Sequence, residues 1–290
     1  MLLQNAYLSV EISEMGAELM RIFDRRAQRE LLWWGDPTYW KRRSPVLFPN
    51  VGKTFANQLR IGGAVYPTSQ HGFARDRIFA CEGCDETSAR FLLKSDAESK
   101  TLYPFDFELC ISYALDGPRL NVLWSVRNLS ESPMPFTIGG HPAFCFDGPE
   151  AKKEDYLLRF PGKDSLSYLL LDPASGTALP EDVHALPLAN GCLRLSDALF
   201  ARDALIFDGG QIEEVWLCAA NGTPRVGMIC PGFPNYGVWS VQGAPFVCLE
   251  PWMGRADNFG FDGEFADKPG VNTAAPGESF TAGYSIVLPE

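Results

Sequence analysis

Between Phe105 and Val126 the chain carries a period of two that a β-hairpin satisfies and a helix does not. Phe105, Phe107, Leu109, Ile111, Tyr113 and Leu115 alternate with Asp106, Glu108, Cys110, Ser112 and Ala114. Neighbouring strand side chains point to opposite faces, so this run has one face made for burial and one for a wetter surface. Leu120, Val122, Trp124 and Val126 repeat the alternation, and Asp116-Gly117-Pro118-Arg119 between the runs has turn chemistry. An antiparallel hairpin is expected.

The same period recurs in Leu8, Val10 and Ile12, and in Phe280, Tyr284, Ile286 and Leu288. Residues 215–219 and 226–230 flank Asn221-Gly222-Thr223-Pro224, a second hairpin signal. Helical spacing over three turns is hard to find. The 27 Gly and 22 Pro are spread along the chain and cut it into short segments, as in sandwiches and barrels. No composition shift, repeat or low-complexity tract marks a boundary, so residues 1–290 read as one all-β domain of many antiparallel strands.

Charge narrows the partners. With 25 Lys+Arg against 36 Asp+Glu and a net charge of −11, the chain lacks the basic footprint that nucleic acid or an anionic membrane surface requires. The opening MLLQNAYLSVEIS has neither the basic nor the long apolar part of a signal peptide, and no apolar stretch reaches the roughly 18 residues of a membrane span. A cytoplasmic location is expected. Eight Cys are too sparse for a disulfide scaffold, and Cys81-Glu-Gly-Cys84 has no second pair to complete a zinc site, so no metal is expected.

Three histidines differ in context. His71, in Gln70-His71-Gly72-Phe73-Ala74-Arg75, and His141, in Gly139-Gly140-His141-Pro142-Ala143-Phe144, lie where the strand pattern breaks. Loops on a rigid β scaffold commonly carry function; the plainer alternative is a turn histidine bonded to backbone. His184, in Glu181-Asp182-Val183-His184, reads as a solvated loop residue. Glu250 ends the apolar run Pro245-Phe246-Val247-Cys248-Leu249 and precedes Pro251-Trp252. A carboxylate there is costly unless paired or held protonated, which suits either a general base or a buried structural cap. Trp239, Phe246 and Trp252 lie near it in sequence, and flat rings beside polar groups suit a sugar, although core packing explains any single ring equally well.

In order along the chain, Ser44-Pro45-Val46-Leu47-Phe48-Pro49 with Gly52-Lys53, the His71 and His141 motifs, and Phe246-Val247-Cys248-Leu249-Glu250-Pro251-Trp252 resemble the aldose 1-epimerase (mutarotase) family, most closely its LacX-like branch. The resemblance implies a large antiparallel β-sandwich, the galactose mutarotase-like supersandwich. It implies that Glu250 takes the proton of a sugar's C1 hydroxyl and that His141 gives one to the ring oxygen. The ring opens, and reclosure inverts the anomer without metal or cofactor. His71 and Asp203 would contact the sugar, together with Arg75, Trp239 and Trp252.

Lys53 stands near where family members carry an Asn-Arg pair, and an ammonium does not reproduce a guanidinium fork. The basic run Lys41-Arg42-Arg43 is either a solvated edge or, through Arg43, a contact to an anionic substituent. The partner implied is a small sugar, bound by a monomer or a homodimer. A sugar-binding or sugar-sensing protein on the same fold is the alternative, but binding alone needs no acid and base. A glycoside hydrolase would need a second carboxylate, and Glu250 has no evident partner in sequence.

Overall fold

In the computed structural model, which describes residues 1–289, the predicted hairpin is the strand pair Phe107–Asp116 and Arg119–Asn128. Its register runs from Phe107↔Asn128 to Asp116↔Arg119, leaving Gly117-Pro118 as the turn. Phe107, Leu109, Ile111, Tyr113 and Leu115 are buried, as the alternation requires. Phe105 is buried too, but it precedes the strand.

This hairpin is part of a nine-stranded antiparallel sheet that also contains Glu214–Ala219, Pro224–Ile229 and the C-terminal strand Ser279–Val287. Glu214–Ala219 and Pro224–Ile229 are the second predicted hairpin, with a register shift between Leu217 and Cys218. An eight-stranded sheet runs in the order Ala178–Pro187, Ser165–Leu171, Leu205–Asp208, Asn235–Trp239, Phe246–Met253, Ile138–Gly140, Val46–Leu47, with Ala143–Cys145 also paired to Phe246–Met253. Leu8–Ile12 belongs to a separate four-stranded N-terminal sheet.

The two large sheets bury side chains against each other. Phe48, just beyond the strand Val46–Leu47, packs on Phe107 with ring centroids 5.2 Å apart, and Tyr236 Oη donates to Met228 Sδ at 3.1 Å. Alternation along Phe246–Met253 then decides what faces where. Val247 and Leu249 join the main core, whereas Phe246 and Cys248 pack with Trp33 and Ala143 in a smaller cluster. Trp252 packs with Leu47, Val51, Leu169 and Ile206 in a third cluster. Glu250 shares the parity of Phe246, Cys248 and Trp252, so it points away from the main core.

One local reading changes. His184 is not in a loop; it lies within the edge strand Ala178–Pro187, its ring stacked on Tyr168 at 5.2 Å and its Nε2 2.9 Å from Asp182 Oδ1. That edge strand is exposed over much of its length and its apolar residues fall on both faces, so it carries no hydrophobic alternation to read. The one α-helix among the described residues, Ala97–Lys100, is a single turn in which Ser99 N donates to Asp96 Oδ1 and Asp96 N to Ser99 Oγ. No described helix is long and apolar enough to cross a membrane.

Candidate active site

The site is built on Phe246–Met253, flanked in the sheet by Asn235–Trp239 and Ile138–Gly140. Gly237 pairs with Glu250, and Gly139 with Trp252. A Cβ on Gly237 or Gly139 would lie 2.4 or 2.5 Å from the Trp252 indole. Glycine on both neighbouring strands therefore lets that indole lie across the sheet and wall the space in front of Glu250.

His141 follows Ile138–Gly140, and the chain turns back through Pro142, whose carbonyl accepts from Leu249 N at 3.1 Å. The turn brings His141 Nε2 to 3.3 Å from Glu250 Oε2, with both side chains almost wholly buried. Trp40 stacks on the imidazole at 4.7 Å and 28°, and Trp239 meets it edge-on at 5.7 Å. Trp40 is in turn fixed by Trp33, whose indole N–H donates to the Trp40 carbonyl at 2.8 Å.

His71 stands at right angles to His141, centroids 5.5 Å apart. Its φ of +69° is unusual for a residue with a Cβ, and such a conformation costs about 1–3 kcal/mol and persists only where the surroundings impose it. Two hydrogen bonds do so: His71 N donates to the Gly52 carbonyl at 2.8 Å, and Gly52 N donates to His71 Nδ1 at 3.0 Å. Because Nδ1 accepts, the proton of the neutral ring sits on Nε2.

These groups line a cavity of about 410 Å³. Lys53, Arg75, Asp203, Trp239 and Trp252 also line it, so every predicted site residue but one is brought together. The exception is Arg43. Its Nε donates to the Trp34 carbonyl at 2.9 Å and its backbone N to Glu18 Oε1 at 2.8 Å, which hold it away from the cavity. Its neighbour Arg42 lines the wall instead, 2.8 Å from Asp76. Sequence reasoning also missed Trp40; its aromatic ring directly ahead of the basic run is the signal that was there to find.

Burial sets the protonation states. It is the main reason that the Glu250 carboxyl is pushed well above its ordinary range, with the charge of Asp203 adding to the effect. Burial first, then the charge of Arg75, lowers His141 to about 3. His71 is also held well below its ordinary value by burial and by His141, Arg75 and Arg42. When the empty Glu250–His141 pair holds one proton, that proton sits on Glu250, the residue that the resemblance assigns as base.

One donor atom each from His141, Cys248 and Glu250 lies within 4.8 Å of the others, a set that could ligate a soft divalent cation. Burial, however, pushes the Cys248 thiol well above its ordinary value and so keeps it protonated.

A β-sandwich with a buried carboxyl–imidazole pair in an indole-walled cavity is what the motif order implied, and comparison with known proteins bears the family out. The family profile described as aldose 1-epimerase matches residues 1–283. The chain belongs to the aldose 1-epimerase family. It is 32% identical over 299 aligned positions to the plasmid LacX protein of Lactococcus lactis subsp. lactis, covering 99% of this chain and 98% of that protein. Among solved structures, it is similar to a galactose mutarotase related enzyme from Lactobacillus acidophilus at 32% identity and TM-score 0.94, with coverage of 100% and 97%. A galactose mutarotase-like protein from Lactobacillus casei ATCC 334 matches at 28% identity and TM-score 0.90, with coverage of 100% and 99%. The fold is the galactose mutarotase-like sandwich.

Proposed function

We propose that this chain is an aldose 1-epimerase that interconverts the α and β anomers of an aldose through the open-chain aldehyde. The observation that carries the reading is the buried Glu250–His141 pair at 3.3 Å inside a cavity walled by Trp40, Trp239 and Trp252. Indole faces suit the C–H surface of a sugar ring, and the buried acid and base suit its C1–ring-oxygen unit.

Proton arithmetic supports the assignment. For ring opening, Glu250 must be a carboxylate and His141 an imidazolium, a transfer of the pair's single proton across their contact. The carboxylate then takes the C1 hydroxyl proton while His141 protonates the ring oxygen. The C1–O5 bond breaks and the C1 carbonyl forms. Glu250 is left protonated and His141 neutral, which is the state that burial favours in the empty site. The pair is thus most comfortable beside the open-chain aldehyde, the high-energy species on the path. Rotation about C1–C2 and the same steps in reverse close the other anomer.

The test is optical rotation after a pure anomer is dissolved. The protein should speed the approach to an unchanged equilibrium in proportion to its concentration. If no aldose in a broad panel relaxes faster than in buffer, while sugars still bind, the chain is a sugar-binding protein rather than an epimerase.

A further inference from the structure

The chain is strongly acidic, with a net charge of −11, yet the wall of the candidate active-site cavity carries Arg42, Lys53 and Arg75. Against these stand Asp203 and Glu250. Glu250 is almost wholly buried with its carboxyl pushed up, and even with both acids counted as charged the three cations of the wall outnumber them. Asp76 lies outside it, 2.8 Å from Arg42 and 3.8 Å from Arg75, and its side chain is 59% exposed. In the wall itself, positive charge is in excess. A neutral sugar gives no reason for that excess, because its hydroxyls can be bonded by amides and uncharged side chains.

The cations are not simply surface residues folded inward. Arg75 is four-fifths or more buried, its Nη2 bonded to the Gln70 carbonyl at 2.6 Å and its Nε without a hydrogen-bond partner. Lys53 forms no ion pair among the described residues; its stem packs so closely on Gly176 that a Cβ there would lie 2.7 Å from Lys53 Cδ. Arg42 and Arg75 both bear electrostatically on His71 and His141, whereas Glu250 feels Asp203. The cavity is therefore polarised, with guanidinium charge on the histidine side.

That placement matches the geometry of a pyranose. The C5 substituent is one bond from the ring carbon that bears the ring oxygen, so an anionic group there lies on the side of the residue that protonates O5. We infer that the substrate is an aldose bearing an anionic group, a phosphate ester or a carboxylate, seated by Arg42 and Arg75 with Lys53 as a third cation. Guanidinium forks bind both groups through paired N–H donors. The inference rests on the mutarotase reading for the orientation of the ring, but the charge preference stands on the cavity itself.

The experiment uses the full chain and three sugars of one configuration: glucose, glucose 6-phosphate and glucuronate. Mutarotation rates by polarimetry or NMR exchange, and binding by calorimetry, are measured at low and moderate salt. At least one anionic sugar should bind tenfold or more tightly than glucose and be turned over with a correspondingly higher kcat/KM. The advantage should shrink as salt rises, and whichever anion wins names the source. Arg75→Gln should remove most of the advantage, with its thermal unfolding compared with wild type to report any folding defect, and Arg42→Gln provides an independent second variant. Equal or weaker binding of both anionic sugars would overturn the inference even if glucose is converted. Preferential anion binding without any accelerated rate would leave the anion site standing and refute the epimerase reading alone.

Discussion

Replacing Glu250 by Gln should yield a protein that is far less active and, above mildly acidic pH, more stable. The residue is 1% exposed, and its folded-state pKa is raised by burial and by Asp203. A group whose pKa is raised on folding contributes stability below its unfolded pKa, about 4.3 for Glu, and that stability is lost as pH rises toward the folded value. In this window the native state holds one proton more than the unfolded state. Each pH unit therefore costs the wild type about 1.4 kcal/mol relative to a neutral isostere. The gap should open progressively above about pH 5 and level off where Glu250 ionises in the native state, each kcal/mol being worth about 2–4 °C in Tm for a chain of this size. Urea or thermal unfolding of both proteins across this range measures it. Turnover should fall by at least about a hundredfold, the usual loss for a general acid–base group. His184→Asn, at the far edge of the sheet, is the control and should change neither. A stability difference that does not vary between about pH 5 and pH 7 would show that Glu250 is ionised in the native state and refute the protonation scheme.

Three further outcomes follow from the same geometry. The pH dependence of kcat/KM should show a plateau over which the pair holds one proton. It should fall on the acid side only toward about 3, where His141 takes up a second proton, and on the alkaline side where Glu250 loses the first; an acid limb near the ordinary carboxylate pKa would contradict this order. A methyl glycoside of a converted sugar should inhibit competitively without being altered, since it has no C1 hydroxyl proton for Glu250 to take, and its conversion would remove ring opening from the mechanism. Trp40→Leu should lower kcat/KM by roughly tenfold or more through loss of the ring that fixes His141, with Trp40→Phe recovering much of it; kinetics equal to wild type in Trp40→Leu would make the stacking incidental.

How much was legible in the sequence depended on whether a residue's neighbours along the chain were also its neighbours in space. The Phe107–Asp116 and Arg119–Asn128 hairpin could be read because alternation and turn lie within one short stretch. Glu250 could be singled out because an acid inside an apolar run is anomalous wherever the run ends up. Arg42 and Arg43 could not be told apart, because what separates them is the Trp34 carbonyl and the Glu18 carboxylate, contacts made by folding. His184 was misplaced because an edge strand exposed on much of its surface carries no apolar period.

The protonation of the pair was hidden for a related reason. Sequence marks Glu250 as costly, but whether that cost is met by pairing, by ionic partners or by a proton depends on what surrounds it. The structure supplies a neutral imidazole at 3.3 Å and the negative charge of Asp203, and places the cavity's arginines where they bear on the histidines instead. A carboxyl in that setting holds its proton to a higher pH than a free one. On the proposed mechanism the two residues act as a single one-proton device, and the role of each is defined only once a C1 hydroxyl and a ring oxygen are placed before it.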